Sequence, residues 1–347
     1  MPRPFHSHPT WSRRLLGLTA VVAAAAAFAP GCAHSQPHGE TNSSPVWPQP
    51  PAAPKARWSA TVSGDRPGRT STIWGKLFSF IVGDSVESRH DLLRPFGLTA
   101  FGDTLLVADP DGPAVTTMNW REGSSSEISC DRHPWEMPMA VAVDDRNIYV
   151  ADGVRIVRVG RDGECSTFGE RALQRPTGLV LSAGRIYAVD PPAHAVVAFS
   201  LEGRELFRFG RRGEGEGELN FPTAIAAQSD GTLLVVDTLN FRVSRFSSEG
   251  TFLGSFGEAG DEEGQFGRPK GVASDRRGNV YVTDGQWDVV LVFDREGHFQ
   301  YLIGESGNGP GQFQIPAGIS VAGSRAFVAD SLNRRIEVFD LLDEAST

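Results

Sequence analysis

One four-residue phrase recurs six times along this chain: a proline, any residue, a small residue and an aliphatic residue. Successive copies begin 43, 38, 46, 47 and 47 residues apart, and an aspartate that ends an apolar segment follows each proline by 14 or 15 residues. Such units bury their apolar residues only by stacking on their neighbours, so the sequence predicts a repeat fold. The prolines are Pro95, Pro138, Pro176, Pro222, Pro269 and Pro316, and the aspartates are Asp109, Asp152, Asp190, Asp237, Asp284 and Asp330.

Each copy contains four short strands, named a to d in chain order. In the fifth copy we assign them to residues 271–274, 279–283, 289–293 and 299–303. They are rich in Val, Ile, Phe and Tyr, and polar runs ending in glycine join a to b and c to d as hairpins. Units of about 45 residues with four strands are propeller blades. The sequence therefore predicts an all-β fold, a six-bladed β-propeller of four-stranded antiparallel blades.

The sixth copy has no room for its own strand d before the chain ends. Upstream of the first copy, residues 76–83 (Lys-Leu-Phe-Ser-Phe-Ile-Val-Gly) have the pattern of an unpaired strand d. We expect this N-terminal strand to complete the C-terminal blade, because such closure removes an exposed sheet edge. The propeller domain is predicted over residues 73–345.

The repeats resemble those of the NHL family. The resemblance rests on Gly-Glu-Ala-Gly at 257–260, Gly-Gln-Phe at 264–266 and Val-Tyr-Val-Thr-Asp at 280–284. The step Asp-x-x-Asn-x-Arg stands at 237–242 and again at 330–335, whereas the first three copies lack its Asn and Arg. The resemblance covers residues 73–345 and implies a six-bladed propeller that recognises a partner; some members of the family are zinc or calcium lyases.

The N-terminus predicts export. Residues 1–31 have the pattern of a lipoprotein-type signal peptide, with Arg13 and Arg14 before an apolar run that is too short to span a bilayer comfortably. The run ends in a segment similar to a lipobox, which makes Cys32 the expected lipidation site. A plain secretory signal cut near Ala33 is the alternative. The resemblance to a lipobox favours anchoring in the cell envelope, at the outer membrane of a Gram-negative bacterium.

Residues 32–72 are rich in Pro and Ser and are predicted to form a tether between the lipid and the domain. The run Trp47-Pro48-Gln49-Pro50-Pro51 is not expected to hold helix or sheet, because proline lacks the N–H that either structure needs.

The charge of the chain and its motifs limit the classes of partner that we expect. The chain carries 33 Lys and Arg against 42 Asp and Glu, a formal charge of −9, and shows no basic patch. Nucleic acid is therefore not an expected partner. The glycine-rich segments precede strands instead of helices, so they are not nucleotide sites, and no cofactor is predicted. We expect a monomer.

Antiparallel order places the b–c loops and the d–a links on one face of the disc, and we expect the binding surface there. The residue after each repeat proline is expected near the mouth of the central channel, and the b–c loops add further side chains. That these are ordinary loop residues is the open alternative. The candidates are Phe96, Met139, Thr177, Thr223 and Lys270 at the mouth, with His194, Asn240, Phe241, Trp287, Asn333 and Arg334 in the loops.

We assign the six repeated aspartates a structural role. An aspartate at a strand end accepts hydrogen bonds from turn N–H groups, and Arg242 or Arg335 can pair with one. A metal triad of His90, His133 and His194 is the alternative considered for metal binding. We predict no metal site, because histidines in link loops lie too far out to converge on one zinc ion. A disulfide between Cys130 and Cys165 is left open.

These features predict an envelope-anchored propeller that acts as a binding or scaffold module for a protein, peptide or glycan. No catalytic residue is assigned. One alternative is a propeller enzyme, a lyase or hydrolase that works at the channel mouth with or without a metal. The other alternative is a structural spacer of the envelope.

Overall fold

The computed structural model of the chain describes residues 44–63 and 91–342. Those residues form six antiparallel sheets arranged as the blades of a propeller, which confirms the predicted all-β, six-bladed fold. The helices in these ranges are two short 3-10 turns, Pro191–Ala193 and Thr238–Asn240. Over the same ranges, the chain has no helix with the length and apolar character needed to cross a membrane.

The strands follow the repeats closely. Two strands, β1 (Val46–Trp47) and β2 (Ala56–Val62), precede the first repeat. Blade 1 contains β3 (Gly97–Phe101), β4 (Thr104–Asp109), β5 (Ala114–Asn119) and β6 (Ser125–Glu127). Blade 2 contains β7 (Pro138–Val143), β8 (Asn147–Asp152), β9 (Arg155–Gly160) and β10 (Cys165–Phe168). Blade 3 contains β11 (Gly178–Ser182), β12 (Arg185–Asp190), β13 (Ala195–Ser200) and β14 (Glu205–Phe209).

The second half of the ring is more regular. Blade 4 contains β15 (Pro222–Ala227), β16 (Leu233–Asp237), β17 (Arg242–Phe246) and β18 (Phe252–Phe256). Blade 5 contains β19 (Pro269–Ser274), β20 (Val280–Asp284), β21 (Val289–Phe293) and β22 (Phe299–Ile303). Blade 6 contains β23 (Pro316–Ala322), β24 (Arg325–Asp330) and β25 (Arg335–Leu341).

The first strand of every blade is the innermost one. These strands contact one another in a closed ring: β3 with β7, β7 with β11, β11 with β15, β15 with β19, β19 with β23, and β23 with β3. The small residue of the repeated phrase makes this approach possible. A Cβ on Gly271 would clash with the carbonyl oxygen of Ala317, and one on Gly318 would clash with that of Phe96. The b–c loops and d–a links then share one face of the disc, here called the mouth face.

The apolar core is divided among the blade interfaces. Six clusters of buried side chains each join two neighbouring blades. Tyr187 of blade 3, for example, packs in one cluster with Phe246 of blade 4. Because no blade has a core of its own, each sheet depends on both neighbours. The ring is stable only if its last interface also closes.

An N-terminal strand completes blade 6, but it is not the segment that we predicted. The sheet order is β1-β2-β25-β24-β23, with β2 antiparallel to β25. The predicted closing strand, residues 76–83, lies outside the described residues. β1 and β2 fall within the predicted tether, and β1 ends at Trp47, just before the first proline of the run expected to exclude sheet. The prediction overlooked β2 because its sequence, Ala-Arg-Trp-Ser-Ala-Thr-Val, is less apolar than residues 76–83.

Side chains also attach this N-terminal segment to blade 6. The Trp58 indole N–H and the Thr61 hydroxyl donate to the Glu337 carboxylate, at 2.6 and 3.0 Å. Trp47 is 7% exposed, and its ring lies edge-on to Phe339 with the centroids 5.5 Å apart. These contacts join residues at opposite ends of the chain, so they hold the ring closed.

A disulfide links the first two blades. Cys130 and Cys165 are bonded, with their Cα atoms 6.1 Å apart. Cys130 follows β6 of blade 1, and Cys165 begins β10 of blade 2. The pairing that the sequence left open is therefore present, and it joins the least regular blades.

Replacing Trp47 with alanine should destabilise the propeller by about 3–5 kcal/mol, because a buried aromatic side chain is removed from the closing interface. The control is Leu253→Ala, which truncates a leucine that is 56% exposed on the outer strand of blade 4 and should change stability by less than about 1 kcal/mol. Chemical unfolding of both variants measures the difference. Equal midpoints would show that β1 does not contribute to closure.

Glu337 should make stability depend on pH. Burial raises the pKa of Glu337 from 4.5 to about 7, although Arg335, Trp58 and Thr61 act to lower it. A raised carboxyl pKa favours folding while the group is protonated, so this contribution is complete below about pH 4.5 and is lost as pH rises through about 7. The unfolding free energy of the wild type, relative to Glu337→Gln, should therefore fall by up to about 3 kcal/mol across this window. The exposed control Glu216→Gln should show no such trend, and a flat difference for Glu337→Gln would contradict the assignment.

Candidate functional site

The six repeated aspartates end the second strand of each blade and are at most 3% exposed. Each accepts a hydrogen bond from a backbone N–H of the link that precedes its own blade. Asp284, for example, accepts from the N–H groups of Gly267 and Arg268, at 2.8 and 2.9 Å. Asp152 does the same with Glu136 and Met137, at 2.9 and 2.7 Å. These buried carboxylates fix the link just before the repeat proline, and we call this arrangement the aspartate clamp.

In blades 4 and 6 the aspartate also holds an Asn and an Arg. Asp237 accepts from the Asn240 amide at 2.8 Å and from the Arg242 guanidinium at 2.9 Å, and Asn240 donates further to a link carbonyl. Burial raises the pKa of Asp237, while the bonds from the link N–H, Asn240 and Arg242 act to lower it. The corresponding residues of blade 6 are Asp330, Asn333 and Arg335. Asn240 and Asn333, predicted for the binding surface, thus use their amides inside the structure.

The clamped links place the residue before each repeat proline at the channel mouth. Around the ring this residue alternates between arginine and an apolar side chain. The apolar members Phe221 and Ile315 have left-handed φ values of 57° and 51°. Their N–H groups donate to the preceding blade, Phe221 to His194 Nδ1 at 3.1 Å and Ile315 to Asp288 at 2.7 Å. In chain order the six residues are Arg94, Met137, Arg175, Phe221, Arg268 and Ile315.

A cavity of about 680 Å³ opens at the mouth, on the side of blades 1 to 5. This volume lies in the range of ligand pockets, roughly 300–1,000 Å³. The central channel below it offers only about 70 Å³. Six of the predicted binding residues line this one cavity: Phe96, Met139, Thr177, Thr223, Phe241 and Lys270.

The other predicted residues lie elsewhere on the mouth face. His194 stands behind the wall, where its ring lies 6.2 Å from that of Phe221. The Trp287 indole packs over Gly267, which itself lines the cavity. Arg334 is exposed in the b–c loop of blade 6 and is not part of the wall.

The cavity combines apolar walls with positive charge. Its lining contains four cations, Arg94, Arg175, Arg268 and Lys270, against the single carboxylate of Asp111. That carboxylate lies 3.3 Å from the guanidinium of Arg94. The apolar lining consists of Phe96, Pro110, Met137, Met139, Pro191, Phe221, Leu239 and Phe241.

Lys270 is the deepest of these cations, because it lines both the cavity and the channel. Its ammonium nitrogen lies 5.9 Å from the ring centre of Phe96. Burial, together with the charges of Arg268 and Arg94, lowers the pKa of Lys270 to about 8. Among residues 44–63 and 91–342, no carboxylate forms an ion pair with it.

The threonine hydroxyls of the wall are occupied. Thr177 donates to the carbonyl of Thr223, at 2.8 Å, and Thr223 donates to that of Lys270, at 2.9 Å. Thr238 donates to the carbonyl of Pro269, at 3.0 Å. These bonds join neighbouring blades, so the charged groups are the main polar groups left to meet a ligand.

The described part of the chain contains no group of three or more His, Cys, Asp or Glu side chains that could hold a metal ion. His90 lies outside this part. The backbone N–H of His133 bonds to the Cys130 carbonyl, and the Nδ1 atom of His194 accepts from Phe221.

Sequence reasoning missed the arginines of the wall. Arg94, Arg175 and Arg268 are far apart in the chain, so no basic run marks them. Alignment of the six copies on their prolines would have found them, because they stand at the same position in alternate copies. For the channel mouth, the sequence prediction of the binding surface considers only the residue after each proline and not the residue before it.

Comparisons with known proteins agree with the fold. A family described as "6-bladed beta-propeller" matches residues 262–345. No curated protein matches the chain. A solved structure from Bacteroides thetaiotaomicron, of unknown function, is 17% identical with a TM-score of 0.62, over 81% of this chain and 75% of its own.

Two enzymes are also similar in structure. A gluconolactonase from Xanthomonas campestris is 19% identical with a TM-score of 0.56, over 82% of this chain and 98% of its own. Virginiamycin B lyase from Staphylococcus aureus is 14% identical with a TM-score of 0.54, over 74% and 98%. At such identities the likeness establishes the propeller fold alone.

Replacing Asp237 with alanine should destabilise the protein by about 3–5 kcal/mol, because Arg242 and the link N–H lose a buried charged partner. The control in the same blade is Asp230→Ala, which removes an exposed ion pair with Arg295 and should cost less than about 1 kcal/mol. Urea unfolding compares the two variants. Similar losses would show that the clamp does not stabilise the ring.

Proposed function

We propose that this protein is an NHL-type binding module of the cell envelope, and that its partner is a protein or peptide that enters the cavity on the mouth face. The observation that carries the proposal is the cavity itself, which joins apolar walls to four cationic side chains. A lipid on Cys32 would anchor the module to the outer membrane, and both belong to the proposal. Cys32 lies outside the described residues.

Exposed apolar side chains on the mouth face support a macromolecular partner. Leu239 and Leu332 are 52% and 50% exposed, and they occupy the same position in the b–c loops of blades 4 and 6. Trp287 of blade 5 and Leu93 of the first link are also exposed on this face. Large apolar side chains that are exposed on one face of a protein are typical of interaction surfaces.

The wall favours a peptide over a glycan. A sugar presents many hydroxyl groups, each of which needs a hydrogen-bonding partner when it is buried. The threonine hydroxyls of the wall already bond to backbone carbonyls. Apolar and acidic peptide side chains match the remaining lining better.

The variant Leu239→Asp should abolish partner binding, because it places a carboxylate on the apolar wall of the cavity. The mature full-length protein and its variants are immobilised and exposed to solubilised envelope proteins, and the retained proteins are identified. The matched control is Leu253→Asp on β18 of the same blade, where the leucine is 56% exposed but lies on the outer strand.

A partner retained by the wild type and by Leu253→Asp, but lost from Leu239→Asp, is the expected result. Equal retention by all three proteins would place the partner site elsewhere. Specific retention by none of them would favour a structural spacer.

A further inference from the structure

Three of the four cations of the cavity, Arg94, Arg268 and Lys270, belong to blades 1 and 5, which are separated by blade 6 alone. The charges of Arg268 and Arg94 both act on the ammonium of Lys270 and lower its pKa, so Lys270 lies within electrostatic range of both. Like charges held together repel, and an anion placed among them relieves that repulsion.

The carboxylates of Asp284 and Asp288 also act on Lys270, but both accept backbone N–H groups and neither pairs with a cation of this group. Arg94 shares the carboxylate of Asp111, at 3.3 Å. Within residues 44–63 and 91–342, no side chain bonds to the guanidinium of Arg268, and no carboxylate pairs with Lys270. The whole chain carries a formal charge of −9. The excess of cations at the mouth is therefore a local property of the cavity.

The rest of the cavity wall, on blades 2 to 4, is mainly apolar. Blade 2 contributes Met137 and Met139, blade 4 contributes Phe221, Leu239 and Phe241, and blade 3 adds the cation Arg175. Methionine side chains adapt to irregular apolar surfaces, and the aromatic rings provide large contact areas. The cavity thus has a cationic side and a mainly apolar side.

We infer that the ligand of this cavity is a carboxylate with an apolar body, whose negative group lies against Lys270, Arg268 and Arg94 and whose apolar part contacts blades 2 and 4. This inference rests on the proposed function and specifies the chemistry of the partner. The space below the cavity amounts to only about 70 Å³. The carboxylate therefore belongs to a group that ends in the cavity: a peptide C-terminus or an acidic side chain.

Titration calorimetry on the mature full-length protein tests the inference with two matched pairs of probes. The first pair is N-acetyl-leucyl-phenylalanine and its C-terminal amide. The second is octanoate and octanamide. Each acid should bind at least about tenfold more tightly than its neutral amide, because a hydrogen bond to a charged partner is the stronger one. The peptide acid should bind more tightly than octanoate, whereas tighter binding of octanoate would assign the cavity to an acyl chain and contradict a peptide partner.

Charge-removing variants locate the carboxylate. The double variant Arg268→Gln with Lys270→Met keeps most of the side-chain length and should weaken acid binding by about tenfold or more, with little effect on the amides. Arg276→Gln is the control, because this exposed arginine lies in the a–b hairpin of blade 5 on the opposite face. Circular dichroism melting of each variant verifies that the propeller is folded.

Two results would overturn the inference: equal affinity for an acid and its amide, or no binding of either acid to the wild type. Loss of the envelope partner from Leu239→Asp but not from the double variant would also overturn it, while leaving the proposed function intact. Failure of Leu239→Asp to affect partner binding would instead refute the proposed function.

Discussion

A buried aspartate in each blade is the interaction on which the rest of the structure depends. It ends the second strand and accepts N–H groups from the link that enters its own blade. The innermost strand begins at the proline just beyond that link, so the same hydrogen bonds determine where this strand starts. A carboxylate can accept several bonds at once, which makes one residue enough to fix an irregular segment. Removing it would leave buried N–H groups without partners.

The clamp has two forms, and the difference shapes the mouth. In blades 1, 2, 3 and 5 the carboxylate accepts the N–H of the residue immediately before the proline. In blades 4 and 6 an Asn and an Arg occupy one carboxylate oxygen, and that N–H turns to His194 or Asp288 of the preceding blade. The two blades with the full Asp-x-x-Asn-x-Arg motif therefore also have a residue with a left-handed φ before the proline, and the N–H of that residue bonds directly to the preceding blade.

The repeat made most of the fold predictable from sequence. Proline, small residue and strand-ending aspartate each mark a position where backbones meet, so the six blades could be assigned without alignment to a relative. The closing strand was harder, because β2 pairs with a strand nearly 280 residues away and its own pattern is weak. Such a contact depends on Trp58 and Glu337 meeting in space, which local periodicity does not encode.

The candidate site was predictable to the extent that it follows the same register. Phe96 and Lys270 occupy the position after the proline and line the cavity as expected. Asn240 was misleading, because a polar residue in a loop can serve the structure as readily as a ligand. The arginines became visible only when the ring brought alternate copies to one mouth. The residue before the proline varies between the six copies, and the ring brings all six of these residues to one surface. Substitutions at this position therefore change the charge of the cavity without disturbing the aspartate clamp beneath it.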